Sequence, residues 1–268
     1  MVFLPGVLFF QLTTFELAML LFGVVLGATA LGVFLGHRVR HLSESLKEPF
    51  GTLQAALLGV VGLILAFGLS LAVGRYEDRR AAVVDEANAI GTTWLRAQTL
   101  KEPQRSRSLE LLIDYAGTDI RFSEVIPGSD EALADTAEEE ESQSQLWNLA
   151  GQALDRAPEA SAPRLYVETL NEMIDAQNTR VSGLNNRVPD AVLVLEVVGA
   201  ALALGLLAAY LAIVGRGLLA VFLASVLVAF LLFVTFDLDR PTRGLITVPD
   251  KVLKDELAEM QEGPAYTP

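Results

Sequence analysis

Cysteine is absent from the 268-residue chain, so neither a disulfide nor a thiolate metal site can be built. Histidine is nearly as scarce, with His37 and His41 alone in the sequence. The pair shares one helical face, but no third ligand stands nearby, so it reads as flanking charge and not as a metal site. No serine sits in a nucleophile elbow, and no glycine-rich loop is spaced to cradle phosphate. The chain is therefore not expected to be an enzyme, and no cofactor or metal is expected. Basic residues are also in deficit: 20 Lys and Arg stand against 33 Asp and Glu, a formal net charge of −13. With no basic stripe, nucleic acid is left without a binding surface.

What the chain has in abundance is apolar sequence in four long runs, at 12–36, 53–74, 191–215 and 217–236. A helix needs roughly 20 apolar residues to cross the hydrocarbon core of a bilayer, and each run meets that length. A buried helix of a soluble protein would keep a polar stripe on its outer face. These runs have none: Gln54 and Ser70 are the polar side chains of the second, Ser225 and Thr235 those of the fourth. The first run lacks the basic start and small-residue cleavage pattern of a signal peptide. An integral membrane protein in the lipid bilayer follows, with 52% hydrophobic residues and its acidic excess outside the four runs. The expected organisation is two membrane helices in 1–74, a polar insertion over 75–188, two more membrane helices in 189–238 and a polar tail over 239–268.

With two runs on either side of the insertion, the amino terminus, insertion and tail share one face of the membrane. Near the bilayer that face carries Arg75, Arg79, Arg80, Arg180, Arg187, Arg240, Arg243, Lys251 and Lys254, against Arg38, Arg40, Lys47 and Arg216 on the other. The positive-inside rule places the richer face, and so both termini, in the cytoplasm. The insertion reads as helical. Ala82, Val83, Ala87, Ile90, Trp94 and Leu95 carry the second membrane helix on from Arg75 to Leu100, up to a break at Lys101-Glu102-Pro103. Further helices are expected over 104–122, 142–154 and 165–184, separated by Pro127-Gly128 and by Pro158 and Pro163. The fold class is all-α.

The end of the second run, Leu65-Ala66-Phe67-Gly68-Leu69-Ser70-Leu71-Ala72-Val73-Gly74-Arg75-Tyr76, resembles the second helix of bestrophins, an apolar run with a pore-facing aromatic that ends in arginine and an aromatic. More closely, Arg75-Tyr76, Glu86-Ala87-Asn88-Ala89-Ile90 and the segment Asp237-Leu238-Asp239-Arg240-Pro241 to Gly244 resemble the prokaryotic bestrophin-like family, whose layout matches nearly the whole chain. The resemblance implies a homo-oligomer, pentameric in bestrophins, conducting small ions through an axis lined by the second helix in a bacterial inner membrane. Carried over, the pore neck falls on Gly59, Leu63 and Phe67, with Ser70 beyond. Glycine at 59 departs from the bulky aliphatic residue of bestrophins, so a three-ring closure is not implied. Asp237 and Asp239 match only part of the acidic post-membrane segment of bestrophins, which leaves calcium control without its full pattern.

Glu16 and Glu196 lie inside apolar runs, where ionised carboxylates are costly and line interiors or polar paths. With Arg75 and Arg79 they could form a charged cluster at one mouth, as a structural ion pair or an ion-attracting vestibule. Gly23 and Gly27 form a small-xxx-small pair, and Gly32, Gly59, Gly62 and Gly199 are further points of close approach, within a subunit or between subunits. The acidic run Glu138 to Glu141, with Asp130, Glu131 and Asp135, reads as a solvated face or as a divalent-cation site. Beside the ion-channel reading stands a different one, a non-conducting scaffold or sensor whose acidic insertion binds a partner.

Overall fold

A computed structural model describes residues 12–39, 47–126 and 129–266; Arg40, His41 and Pro127-Gly128 lie outside them. Among the described residues the chain is all-helical, in eight helices: α1 Thr14–Val39, α2 Lys47–Ala97, α3 Gln104–Glu124, α4 Asp130–Arg156, α5 Ser161–Asn185, α6 Asp190–Val214, α7 Leu218–Leu238 and α8 Lys251–Gln261. Helices α1, α2, α6 and α7 are long and apolar enough to cross a membrane. Two compact units form. The first takes the described residues as far as Tyr76 together with Arg187–Ile246; the second takes Glu77–Asn186 and the described residues from Thr247. Helix α2 runs unbroken through the sequence shared by both, as the lack of any proline or turn cluster between 53 and 97 permits.

In the first unit, α1 lies against α6 at backbone distance. A Cβ at Gly32 would stand 2.0 Å from the carbonyl oxygen of Gly205, and one at Gly36 2.3 Å from that of Ala209. Two small residues four apart on each helix permit this approach, the device that membrane helices use where no hydrophobic force drives them together. Gly23 and Gly27, the expected small pair, have nothing within 4 Å. Helix α7 is tied to α1 by a buried hydrogen bond of 2.7 Å between the hydroxyls of Ser225 and Thr29. Leu17, Leu21, Val25, Leu65, Leu193, Leu204 and Leu232 fill the interior. The turn from α6 to α7 is Gly215-Arg216-Gly217, with positive φ at both glycines (79° and 82°), which lets the chain reverse in three residues.

In the second unit, the later part of α2 packs with α3, α4, α5 and α8 around Ile90, Leu112, Tyr115, Leu146, Tyr166, Leu170 and Met173, all fully buried. Two boundaries differ from the sequence expectation. Helix α4 starts at Asp130 and not near 142, so the acidic run lies within it: the Ser129 hydroxyl accepts the amide of Ala132, and Asp130 and Glu131 sit in the first turn. Helix α5 starts at Ser161, because Pro163 falls in its first turn, where its missing N–H is no loss. The tail also contains a helix that the sequence reading treated as polar chain. Leu253 and Met260 of α8, seven residues apart, are buried in this core.

Candidate functional site

Over its apolar stretch, α2 has two unlike sides. Gln54, Val61, Leu65, Gly68 and Ala72 are buried. Gly59, Leu63, Phe67 and Ser70 are exposed, and with about 3.6 residues per turn they fall on the opposite side of the helix. Leu63 is 57% and Phe67 62% exposed, and nothing comes within 4 Å of a Cβ at Gly59. Burial is thus sharply one-sided on a helix whose hydrophobicity is uniform. The side left open is apolar for two turns and then offers one hydroxyl, that of Ser70.

The buried side of α2 carries the charge-bearing neighbour. Glu196 of α6 is 1% exposed, and a Cβ at Gly68 would stand 1.3 Å from its Oε1. The carboxylate therefore occupies the volume that a side chain at position 68 would need, and any larger residue there would have to displace the tip of Glu196. Both oxygens of Glu196 lack a hydrogen-bond partner among the described residues. A carboxyl in such a site is costly as an anion.

The other members of the expected mouth cluster lie elsewhere. Glu16 is exposed and accepts the amide of Thr13 at 2.8 Å and its hydroxyl at 2.9 Å, while the Glu16 amide donates back to the Thr13 hydroxyl at 3.2 Å. This is a capping box at the start of α1. Arg79, in the second unit, donates to the carbonyls of Gly183 at 3.1 Å and Asn186 at 2.9 Å, closing the end of α5. Arg75 is half-buried, with its Nε unpartnered. No ion pair between Glu16 or Glu196 and Arg75 forms among the described residues.

The segment after α7 is a polar knot. The Asp237 carboxylate accepts the amides of Leu245 at 2.8 Å and Ile246 at 2.9 Å, and Gly244 lies so close that a Cβ there would stand 2.7 Å from Oδ1. Asp239 accepts the amide of Val188 at 3.1 and 3.2 Å through its two oxygens. Arg240, 3% exposed, donates to the carbonyl of Leu12. Burial holds the Arg240 guanidinium below its ordinary range, against the pull of Asp237. Pro241 is buried. Oδ2 of Asp237 and both oxygens of Asp239 thus accept backbone amides, fixing the chain where it leaves the last membrane helix and where it enters α6.

Sequence reasoning missed the pairing of Gly68 with Glu196. It also missed a second buried set, Glu86, Asp119, Glu139 and Arg180, although each of these lies in phase with the apolar stripe of its helix. That phase is the signal. On α4 the inward positions recur every seven residues, at Ala132, Glu139, Leu146 and Ala153, so one glutamate of the acidic run points into the core while its neighbours remain at the surface.

The sequence matches the family described as Bestrophin-like domain over residues 19–253. Among solved structures, a bacterial bestrophin homolog from Klebsiella pneumoniae is 15% identical with a TM-score of 0.66, over 89% of this chain and 98% of that one. Two point mutants of a bestrophin homolog from the same bacterium match at 15% and 17% identity, with TM-scores of 0.65 and 0.64, each over 89% of this chain and 99% of theirs. The likeness at this identity is one of fold. No curated protein matches the chain.

Proposed function

The chain belongs to the bestrophin-like family and is an integral membrane protein, and from this premise we propose that it is a homo-oligomeric channel for small ions. The observation that carries the proposal is the open side of α2. In one subunit Gly59, Leu63, Phe67 and Ser70 have nothing packed over them, while the opposite side of the helix is committed to the subunit interior. Copies arranged about an axis, five by analogy with bestrophins, would turn these sides toward one another. Rings of Leu63 and Phe67 then form an apolar neck, narrow enough to gate by dewetting, with the Ser70 hydroxyls as the first hydrating group beyond it.

By analogy with bestrophins the ions are anions, and Glu196 does not oppose this: it sits on the buried side of α2, and the described neck residues Gly59, Leu63, Phe67 and Ser70 include no carboxylate. The intervening helices α3 to α5 constitute an insertion between the second and third membrane helices, cytoplasmic with both termini, in a bacterial inner membrane. The arginine-rich flanks of the membrane helices support that orientation.

Purified protein in liposomes under separate chloride and potassium gradients tests the proposal. Phe67→Ala should raise the leak several-fold by widening the neck, with the reversal potential reporting the ion. Unchanged flux in an intact, inserted oligomer would remove the neck from α2. Absence of flux in both proteins would favour a scaffold or sensor that docks a partner through its polar unit.

A further inference from the structure

Three carboxyls and one guanidinium share the interior of the second unit. Arg180 of α5 contacts Asp119 of α3, and its Nε lies 2.5 Å from Oε2 of Glu86 on α2. It also donates to the Ser123 hydroxyl at 2.8 Å and stacks over the Phe122 ring at 5.4 Å. Glu139 of α4 accepts from the Gln177 amide at 2.8 Å. The side chains of Glu86 and Asp119 are fully buried, that of Arg180 is 3% exposed, and Glu139 as a residue is 0% exposed. The Tyr115 hydroxyl faces Glu86, and Asp135 adds a further negative charge near Glu139.

The donors do not satisfy the acceptors. Glu86 has Arg180 Nε and the Tyr115 hydroxyl beside it but no well-aligned hydrogen bond to either oxygen, and Oδ2 of Asp119 and Oε1 of Glu139 lack a donor. Fully ionised, three carboxylates against one guanidinium would bury two uncompensated negative charges, a cost that proteins avoid by pairing or neutralisation. Among the described residues no set of His, Asp or Glu has the geometry to hold a metal ion. Solvent cannot reach the site to screen the charges, so the remaining neutraliser is the proton.

We propose that Glu86, Asp119 and Glu139 around Arg180 form a proton-binding site, occupied in the folded protein near neutral pH, whose emptying loosens the packing of α2, α3, α4 and α5. Burial, added to by Asp119, raises the Glu139 carboxyl to about 7; burial also raises Asp119 to about 6, against the pull of Arg180. Burial with Asp119 beside it lifts Glu86 well above the usual carboxylate range. Groups raised on folding stabilise the fold while protonated, and that stabilisation is lost as pH rises through about 6 and about 7.

The chain supplies its own probe, since both tryptophans, Trp94 and Trp147, lie in this unit. Tryptophan-monitored melting of the full-length protein in detergent should fall by roughly 5 °C or more between about pH 5 and about pH 8, most of it below the folded value of about 7 for Glu139. The fall should shrink in Glu139→Gln or Glu86→Gln and persist in the surface control Glu140→Gln. Infrared spectra should contain a protonated-carboxyl band that is weaker in Glu139→Gln or Glu86→Gln than in the wild type. An identical band in all three proteins would overturn the proposal. If neither variant folds, the wild-type profile decides: a fall supports the site, and a flat profile removes it.

Discussion

A methyl group added at Gly32 would stand 2.0 Å from a backbone oxygen of α6, while one added at Gly27 would meet nothing within 4 Å. The two positions are one and a half turns apart on α1, so their substitutions form a matched pair. Gly32→Ala forces a carbonyl or a whole helix to move and should cost about 1–3 kcal/mol, as overpacking does. Gly27→Ala should be neutral or slightly stabilising, since alanine is the better helix former by up to about 1 kcal/mol. Survival of the monodisperse peak after heating in detergent separates them, and equal melting of the two variants would remove the α1–α6 approach. The sequence marked both glycines as small residues in a membrane helix. It did not say which side of α1 faces α6, because hydrophobicity is uniform around the helix and the moment that orients a soluble helix vanishes. Glu139 is the reverse case. Its heptad phase was readable, but four consecutive glutamates hid it.

At the scale of elements, legibility followed the punctuation. The far end of helix α2 was readable to within a few residues because no proline or turn cluster interrupts it after 53, although the helix begins six residues earlier, at Lys47; α3 was readable because Pro103 precedes it and apolar residues recur along one side. The start of α4 was misplaced by a dozen residues, since its first three turns carry acids where a core stripe is normally read. What fixes that start is local chemistry: the Ser129 hydroxyl accepts the Ala132 amide at 3.1 Å, and Asp130 and Glu131 complement the helix dipole. Ser129→Ala should therefore cost about 1 kcal/mol of second-unit stability. Urea unfolding followed by tryptophan fluorescence measures it. Ser129→Asp should restore the midpoint, because aspartate caps as well as serine, and failure of that rescue would mean that the hydroxyl acts elsewhere. Helix α8 escaped notice for a different reason. Eleven residues with two buried anchors give too short a pattern to stand out from a charged tail.

For the whole molecule, the question is which surface the open side of α2 meets, because an apolar side chain exposed in one subunit is equally content against lipid or against its symmetry mates. Here the missing residue type becomes an instrument. With no cysteine in the chain, each engineered thiol is unique. Leu63→Cys, Phe67→Cys and Ser70→Cys sit on the proposed neck face, whereas Leu223→Cys and Leu227→Cys sit within α7, at positions 59% and 66% exposed. A thiol reacts as its thiolate, which forms only where water reaches it. If α2 lines a water-filled axis, a charged, water-soluble thiol reagent should modify Ser70→Cys fastest and block flux, with Phe67→Cys and Leu63→Cys slower in the dewetted neck. The α7 thiols, surrounded by hydrocarbon, should stay unmodified. Oxidation should also cross-link neighbouring copies through the neck positions and not through α7. Equal protection of all five would place the open side of α2 against lipid and leave the family fold without a pathway along this helix.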